Sequence, residues 1–232
     1  MKSILSLALL VGTLLGVSWQ PAAAIDCRSA PTPGIDWQGC DKKLLMLGGS
    51  DLQDAKLGET DFSATDLRGA NLAGANLEKA KFIRATLAGA SAKGTSFARV
   101  EAYRTDFNGL IADDASFESA ELQRSNFSGS QLSNANFTKA DLGRSQFDGA
   151  EIGGSRFALA NLARADFRKA TMTEPVDFDR AFLFLTRLEG VDLAAATGLV
   201  QWQVDMTCGD DNTVLPPGLK KPATWPCKFE QD

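Results

Sequence analysis

Five arginines that recur at intervals of twenty residues are the strongest chemical feature of this sequence. They are Arg84, Arg104, Arg124, Arg144 and Arg164. A guanidinium group can bind a carboxylate through two parallel hydrogen bonds, so a row of arginines could dock an acidic protein or polysaccharide. Ile83 and Tyr103 stand beside the first two arginines and are expected to extend the row into a small mixed patch.

Acidic neighbours could neutralise part of this row. Three residues before the arginines lie Lys81, Glu101, Glu121, Asp141 and Asn161. Three of the five arginines therefore have an acid at the same offset, and one hypothesis is a solvated ladder of ion pairs with little influence on stability. The other hypothesis is the docking strip, in which Arg84 and Arg164 lack such an acid and are the freest members.

Residues that commonly carry catalysis are scarce. The 232 residues include no histidine, which removes the side chain most often used for general acid–base catalysis. Asp113-Asp114 and Asp210-Asp211 are adjacent acid pairs, but neither has the ligand spacing of a Ca²⁺ loop, so we assign both to solvated corners or loops. We therefore predict no catalytic, cofactor or metal site, and a chain that is not an enzyme.

A five-residue repeat must position the arginines. Every fifth residue from Leu47 to Met172 marks a centre, and 23 of these 26 centres are large and apolar. Two residues before each centre, 23 of 26 positions hold Ala, Ser or Thr. In an α-helix a step of five residues spreads the centres around the axis, and in a strand it alternates them between faces. The chain must therefore turn a corner in each unit and keep its centres inside.

A longer period sets the number of corners in a coil. Glycine also recurs every twenty residues, at Gly49, Gly69, Gly89, Gly109, Gly129 and Gly149. From Phe117 onward the centres alternate between phenylalanine and Leu, Ile or Met. Four units per coil explain all these periods, and they predict two stacked ladders of phenylalanines on opposite walls.

Residues 66–77, DLRGANLAGANL, resemble the A-(D/N)-L-x-x motif of the pentapeptide repeat family, and the resemblance covers roughly residues 45–196. It implies an all-β fold, a right-handed quadrilateral β-helix. Glu174-Pro175 adds one residue to the register, and the centres resume at Phe178 and run to Leu193. About seven coils are expected, which at roughly 4.8 Å per coil give a body about 35 Å long.

The flanks are expected to cap the ends of the β-helix, where a stacked fold exposes unpaired backbone. We assign residues 25–46 to an N-terminal cap with Trp37, Leu44 and Leu45 as its apolar face, 47–196 to the repeat, and 197–232 to a C-terminal cap with a short helix over 199–204. The flanks hold all four cysteines, Cys27, Cys40, Cys208 and Cys227. Three pairings are possible, and we favour the local pairs Cys27–Cys40 and Cys208–Cys227, because the ends of an elongated body lie far apart.

The N-terminus has the features of a secretory signal. Lys2 precedes an apolar run over residues 4–17, and three alanines at 22–24 provide small residues for cleavage. The run is too short to favour a membrane span. We therefore expect residues 1–24 to be removed and the mature protein, with no membrane span, to be exported to the periplasm or the extracellular space, or to the thylakoid lumen if the source is a cyanobacterium.

Three functions compete at this point. The repeat favours a rigid scaffold or protein-interaction module; its partner, an unknown protein or an acidic polymer, and its oligomeric state stay open. The family resemblance implies an alternative, a DNA mimic that interacts with DNA gyrase. Residues 47–173 hold 16 acids and 15 bases, whereas a duplex mimic needs dense negative charge, and a nucleic acid partner is also disfavoured. A β-helical polysaccharide-active enzyme is the remote alternative, because a regular prism offers no groove.

Overall fold

The computed structural model describes residues 25–227. The predicted signal peptide, residues 1–24, lies outside the described residues. Within the described part of the chain, no helix is long and apolar enough to cross a membrane.

Parallel β-bridges join residues that lie one coil apart. The first is Asp36↔Lys56, and the offset stays at twenty residues through Glu151↔Thr171. Each unit contributes one bridge residue, so the strands are isolated bridges rather than longer segments. Four bridge residues open the four faces in the first coil, Asp36, Asp41, Met46 and Asp51, and we number the faces in that order. The pattern is that of a four-sided β-helix, consistent with the predicted right-handed form.

From Gly39 to Gly190, every corner except the one at Glu174 uses a left-handed residue two positions after the centre. At the third corner this residue is glycine in most coils, as the twenty-residue period predicted, and Gly69 has φ 63°. At the other corners it is mostly not glycine; Arg84 (φ 59°) and Asn134 (φ 60°) are examples. Non-glycine residues enter this region reluctantly, so the corners are held by the coil. Two kinds of hydrogen bond hold each corner. One closes the turn, as from Ala70 N–H to the Leu67 carbonyl (3.0 Å), and the other joins the next coil, as from Gly69 N–H to the Ala88 carbonyl (3.0 Å).

The interior contains the two predicted phenylalanine ladders. Along one ladder, the Phe107 and Phe127 rings are parallel within 8°, with centroids 4.7 Å apart. Along the other, the Phe117 and Phe137 rings are parallel within 5° at 4.8 Å. Rings of opposite ladders meet edge to face, as Phe127 and Phe137 do at 5.8 Å and 85°. Both geometries are favourable for aromatic pairs, and all these rings are fully buried.

Buried hydroxyl groups connect the coils from inside. Most of the Ser and Thr residues two positions before a centre donate to a carbonyl of the preceding coil, as from Thr95 Oγ1 to Leu72 (2.7 Å) and from Ser125 Oγ to Ala102 (2.6 Å). A buried hydroxyl without such a partner would be costly. The small residues at these positions therefore do more than leave space for the bend.

The β-helix begins about ten residues before Leu47, the predicted start. Bridges already form at Asp36, Asp41 and Met46, so the part of the predicted cap from residue 36 onward belongs to the first coil. Cys27 and Cys40 form the predicted disulfide. The expectation that Leu44 and Leu45 cover the end is wrong, because they are 77% and 41% exposed.

A lysine takes the place of an apolar centre at this end. Lys42 is buried, and its Nζ lies 3.4 Å from the centre of the buried Trp37 ring. The same ammonium donates to the Cys27 carbonyl at 2.6 Å, so a charge closes the first coil through a cation–π contact and a hydrogen bond. Burial lowers the pKa of Lys42, and the nearby Asp26 opposes that shift.

The single-residue insertion lies at the corner between the fourth and first faces. After Glu174-Pro175 the bridge offset becomes 21 residues, as in Arg156↔Asp177 and Asn161↔Phe182. The coil continues past residue 196, the predicted end of the repeat, because Cys208 bridges to Arg187 and Val214 to Asp192. The insertion therefore shifts the register without ending the fold.

A short helix and a disulfide close the C-terminal end, as predicted. Helix α1 spans Gln201–Val204. Its buried Gln203 donates from Nε2 to the carbonyls of Phe178 (3.0 Å) and Ala181 (2.9 Å), which fastens the helix under the last coil. The Cys208–Cys227 disulfide holds the following loop, and Trp225 Nε1 donates to the Thr207 carbonyl at 2.7 Å.

Candidate interaction surface

The five arginines occupy one corner of the second face, and we call them the arginine corner. All five are exposed, with φ between 56° and 61°. Each backbone N–H donates to a carbonyl of the next coil, as Arg84 does to Tyr103 (3.1 Å) and Arg144 to Ala163 (2.8 Å). The five side chains therefore project from a single column of corner residues, in which neighbouring residues are about 4.8 Å apart.

Among residues 25–227, none of the five arginines forms an ion pair within 4.0 Å. Two of the three acids at the predicted offset have other partners; Glu101 pairs with Lys81 at 3.4 Å. Asp141 accepts from Gln123 Nε2 (2.8 Å) and Asn161 Nδ2 (3.0 Å). Bridge residues stack directly above one another on the flat of the face, whereas the arginines stand at its far corner. The hypothesis that the arginines form a ladder of ion pairs is therefore wrong.

The corner of the first face provides a comparison within the same molecule. Its basic residues have the same left-handed backbone, yet most are paired. Lys79 lies 3.6 Å from Glu59, Arg99 lies 2.8 Å from Glu78, and Arg180 lies 2.9 Å from Asp179. Corner geometry thus allows ion pairs, and the absence of pairs distinguishes the arginine corner.

The predicted patch around Ile83 and Tyr103 forms only in part. Tyr103 is 37% exposed, and the Arg104 guanidinium lies 5.2 Å from its ring centre. Ile83 is half-buried and adds less apolar surface. The structure therefore places a cation–π pair, rather than a broad apolar patch, at this level of the second face.

An aromatic patch at the C-terminal end of the second face was not predicted. It consists of Phe182, Phe184 and Trp202, which are 46%, 42% and 54% exposed. The Phe182 and Phe184 rings are parallel within 13°, with centroids 6.2 Å apart. The sequence did contain a signal: once the register is shifted so that Leu183 is a centre, both of its outward neighbours are phenylalanine. No earlier unit has that arrangement.

The acid pairs have structural partners. Asp113 Oδ1 accepts from Ser133 N–H at 3.0 Å, and Asp114 Oδ1 from Asn134 Nδ2 at 3.3 Å. Asp210 Oδ1 accepts from the backbone N–H groups of Gly190 and Asn212, both at 3.0 Å. Within residues 25–227, no group of three or more acids or cysteines is arranged to hold a metal ion. The pairs therefore fix corners and a loop, as expected.

Two arginine–aspartate pairs stand on the third face. Arg68 Nε donates to both carboxylate oxygens of Asp66, at 2.9 and 3.1 Å. Arg168 repeats the arrangement with Asp166, at 3.0 and 3.1 Å. The side-chain hydrogen bonds from Arg68, aided by its backbone N–H, lower the pKa of Asp66 to about 2. These arginines are neutralised locally, unlike those of the arginine corner.

Comparisons with known proteins agree with the repeat. The family model for pentapeptide repeats matches eight copies, over residues 47–82, 115–154 and 140–174. No curated protein sequence matches the chain.

Three solved structures illustrate the likeness. HetL, a pentapeptide repeat protein involved in heterocyst differentiation regulation from Nostoc sp. strain PCC 7120, is 24% identical; the alignment covers 80% of this chain and 91% of HetL with a TM-score of 0.43. Full-length QnrB1, a plasmid-mediated fluoroquinolone resistance protein, is 17% identical over 74% and 94% of the two chains, with a TM-score of 0.45. A pentapeptide repeat protein from the Arabidopsis thaliana thylakoid lumen is 26% identical over 50% and 68%, with a TM-score of 0.31.

The family match and the twenty-residue bridge pattern have the same units. Both divide the chain into five-residue segments with an apolar centre, and the bridges continue the pattern through the stretch between the matched segments, as in Ser91↔Ile111. Residues 47–82 and 115–174 are thus pentapeptide repeats, and the bridge pattern extends the same unit through the rest of the coil.

Proposed function

We propose that this protein is an exported, non-enzymatic rod of about seven coils that acts as a protein-interaction module, with the second face as its docking surface. The observation that carries the proposal is the arginine corner, five exposed guanidinium groups without ion pairs in the described chain. Neighbouring charges about 5 Å apart repel by roughly 1 kcal/mol even in bulk water. An acidic partner would relieve this repulsion and satisfy the free hydrogen-bond donors.

Export is supported by the two disulfides and by the signal-like sequence of residues 1–24. Disulfides persist in oxidising compartments such as the periplasm, the extracellular space and comparable lumens. Each bridge closes one end of the rod, where the stack of coils would otherwise end in open core. The rod is thus suited to a compartment in which exposed ends are liable to proteolysis and aggregation.

The test is a crosslinking pull-down from the exported compartment with the mature protein and a variant in which the five arginines become asparagine. Asparagine is chosen because Asn134 already occupies a corner with φ 60°. The variant is expected to lose the partners captured by the native protein while it keeps its circular dichroism spectrum and Tm. Unchanged partners would show that the arginine corner is only solvated surface.

A matched control changes five bases at other corners, each with positive φ. They are Lys79, Arg99, Lys139, Lys169 and Arg180. This variant removes the same formal charge as the first, so a partner lost equally from both would be responding to net charge. The specific result is loss from the arginine variant alone.

The DNA-mimic alternative is weakened by the same surface. A duplex mimic presents closely spaced negative charge, whereas the second face presents a column of positive charge at coil spacing. Glu101 is paired with Lys81, which removes further negative charge from the face. We therefore favour an acidic protein partner over the gyrase-interacting role.

A further inference from the structure

We infer that the second face docks an amphipathic α-helix of a partner protein, whose acidic stripe lies on the arginine corner and whose apolar end anchors on the aromatic patch. The inference rests on the proposed function and deepens it. It specifies the partner's conformation and the end of the rod at which the partner is fixed.

The first observation is the distribution of exposed aromatic side chains. Among residues 25–227, four aromatic residues are 37% exposed or more. Tyr103, Phe182 and Phe184 lie on the second face, and Trp202 lies in α1, which is joined to that face by the Leu185 N–H to Met206 carbonyl bond. Eleven phenylalanines of the same part of the chain are fully buried in the core. Aromatic residues are enriched at the centres of protein interfaces. Their concentration on one face therefore marks that face as the place where a partner makes apolar contact.

The second observation is that the aromatic patch continues the arginine corner. The Arg164 N–H donates to the Phe184 carbonyl at 2.8 Å, so the two residues are neighbours in adjacent coils. Helix α1 fixes the position of Trp202 below them, because Gln203 is bonded to the Ala181 carbonyl and Leu185 N–H donates to Met206 at 2.7 Å. Cationic and aromatic residues thus form one strip along the rod.

The third observation is the shape of the strip between the two parts. In the two coils that precede Phe184, the outward position between the centre and the arginine holds Ala163 or Gly143. These small residues leave little side-chain bulk beside the arginines. Asp141 lies on the other side of these small residues, and its carboxylate accepts hydrogen bonds from Gln123, Asn161 and the backbone of Gly143. A partner's acidic side chain would therefore meet unpaired arginines on one side and an already satisfied carboxylate on the other.

The spacing of the arginines favours a helix over an extended segment. The coils repeat at about 4.8 Å. Acidic residues at alternating intervals of three and four along an α-helix rise about 5.3 Å per step. Side chains on one face of an extended strand are about 6.6 Å apart. Across the four steps from Arg84 to Arg164, the acidic side chains fall out of step with the arginines by roughly 2 Å for a helix and 7 Å for a strand. Long arginine side chains can reach across the smaller offset but not the larger one.

The test uses synthetic peptides as probes. Two acetylated sixteen-residue helical peptides carry glutamate at alternating intervals of three and four on one side, with Trp and Leu at opposite ends of the two peptides. Binding to the mature protein is followed by fluorescence anisotropy of a dye on the peptide. One of the two orientations is expected to bind measurably at low salt. Phe184→Ser with Trp202→Gln, or Arg144→Asn with Arg164→Asn, is expected to weaken binding by about tenfold or more.

The controls separate this inference from the proposed function. Lys79→Asn with Lys139→Asn removes two corner charges elsewhere and should leave the affinity unchanged, and all variants should keep the native Tm. A peptide with a central proline should lose binding, because its helix is broken. Equal binding of the proline peptide, or of the Phe184→Ser/Trp202→Gln variant, would overturn the helical anchor. If an acidic oligosaccharide competes as well as the peptide, the helical anchor is again wrong, although the arginine corner would still be the docking surface.

Discussion

Single side chains on the rod differ sharply in how their charge is used. The arginines of the third face, Arg68 and Arg168, are committed to an aspartate two residues earlier, through both carboxylate oxygens. Those of the second face stand without a carboxylate in the described structure. The difference follows from position: Arg68 and Arg168 directly follow a centre and share the flat of the face with the bridge residue, whereas the second-face arginines follow one position later, at the corner.

The Asp66–Arg68 pair gives a prediction about pH. Arg68 lowers the pKa of Asp66 from 3.8 to about 2, so the carboxylate is favoured in the folded protein. Because the folded pKa lies below the ordinary value, the pair's contribution to stability is present above pH ~4 and is lost as the pH falls through 2. Arg68→Gln should return the pKa of Asp66 toward 3.8, measured by NMR titration of the side-chain carboxyl carbon.

Arg84→Asn is the control for this titration. Arg84 stands one coil closer to the C-terminus on the neighbouring face and has no ion pair in the described chain, so its removal should leave the Asp66 titration where it is. Should Asp66 titrate near its ordinary pKa in the unchanged protein, the bidentate pair does not persist in solution.

At the scale of elements, the phenylalanine ladders supply most of the largest fully buried side chains. Phe127 lies between Phe107 at 4.7 Å and Phe147 at 5.1 Å, fully buried. Phe127→Ala should lower the free energy of unfolding by about 3–5 kcal/mol, because it removes the ring from both stacks and leaves a cavity. Denaturation in urea, followed by circular dichroism, measures the loss.

Phe182→Ala is the matched control for the ladder. The same atoms are removed from a residue that is 46% exposed and, among the aromatic rings of residues 25–227, stacks only on Phe184. Its cost should stay below about 1 kcal/mol, as for surface substitutions without a buried contact. Equal costs for the two variants would mean that the aromatic patch is part of the core and is not available to a partner.

At the scale of the whole molecule, the rod is a one-dimensional stack in which each coil contacts only its neighbours. Opening should therefore begin at an end. The Cys27–Cys40 bridge spans 13 residues, and a loop of that length is worth about 3 kcal/mol in the chain-entropy account. The disulfide and the buried Lys42 together hold the first coil closed.

Cys27→Ser with Cys40→Ser should therefore accelerate amide hydrogen exchange in the first two coils, roughly residues 36–75, by about a hundredfold. Exchange in the middle coils, around Phe107 to Phe147, should change little. The comparison variant, Cys208→Ser with Cys227→Ser, should shift the effect to the opposite end. Uniform acceleration along the whole rod would show instead that the coils open as one unit.

Much of the fold could be predicted from the sequence because the inward or outward direction of each residue is set by the backbone, one unit at a time. The centres from Leu47 to Met172, the corner glycines and both phenylalanine ladders agree with the structure. The start of the coil was misplaced because Lys42 occupies an inward position that an apolar pattern cannot reveal. Its burial depends on the Trp37 ring and the Cys27 carbonyl, which only the folded end brings together.

The sequence by itself determined the repeat, the coil length, the core and the alignment of five arginines on one corner. Only the tertiary structure decided which charges pair and which aromatics stay outside. The choice of partner for an acid such as Glu101 depends on a few ångströms of side-chain reach across coils. The exposure of Phe182 and Phe184 depends on a register shift and on what α1 leaves uncovered beneath them. Those two outcomes, which no periodic pattern contains, define the candidate docking surface.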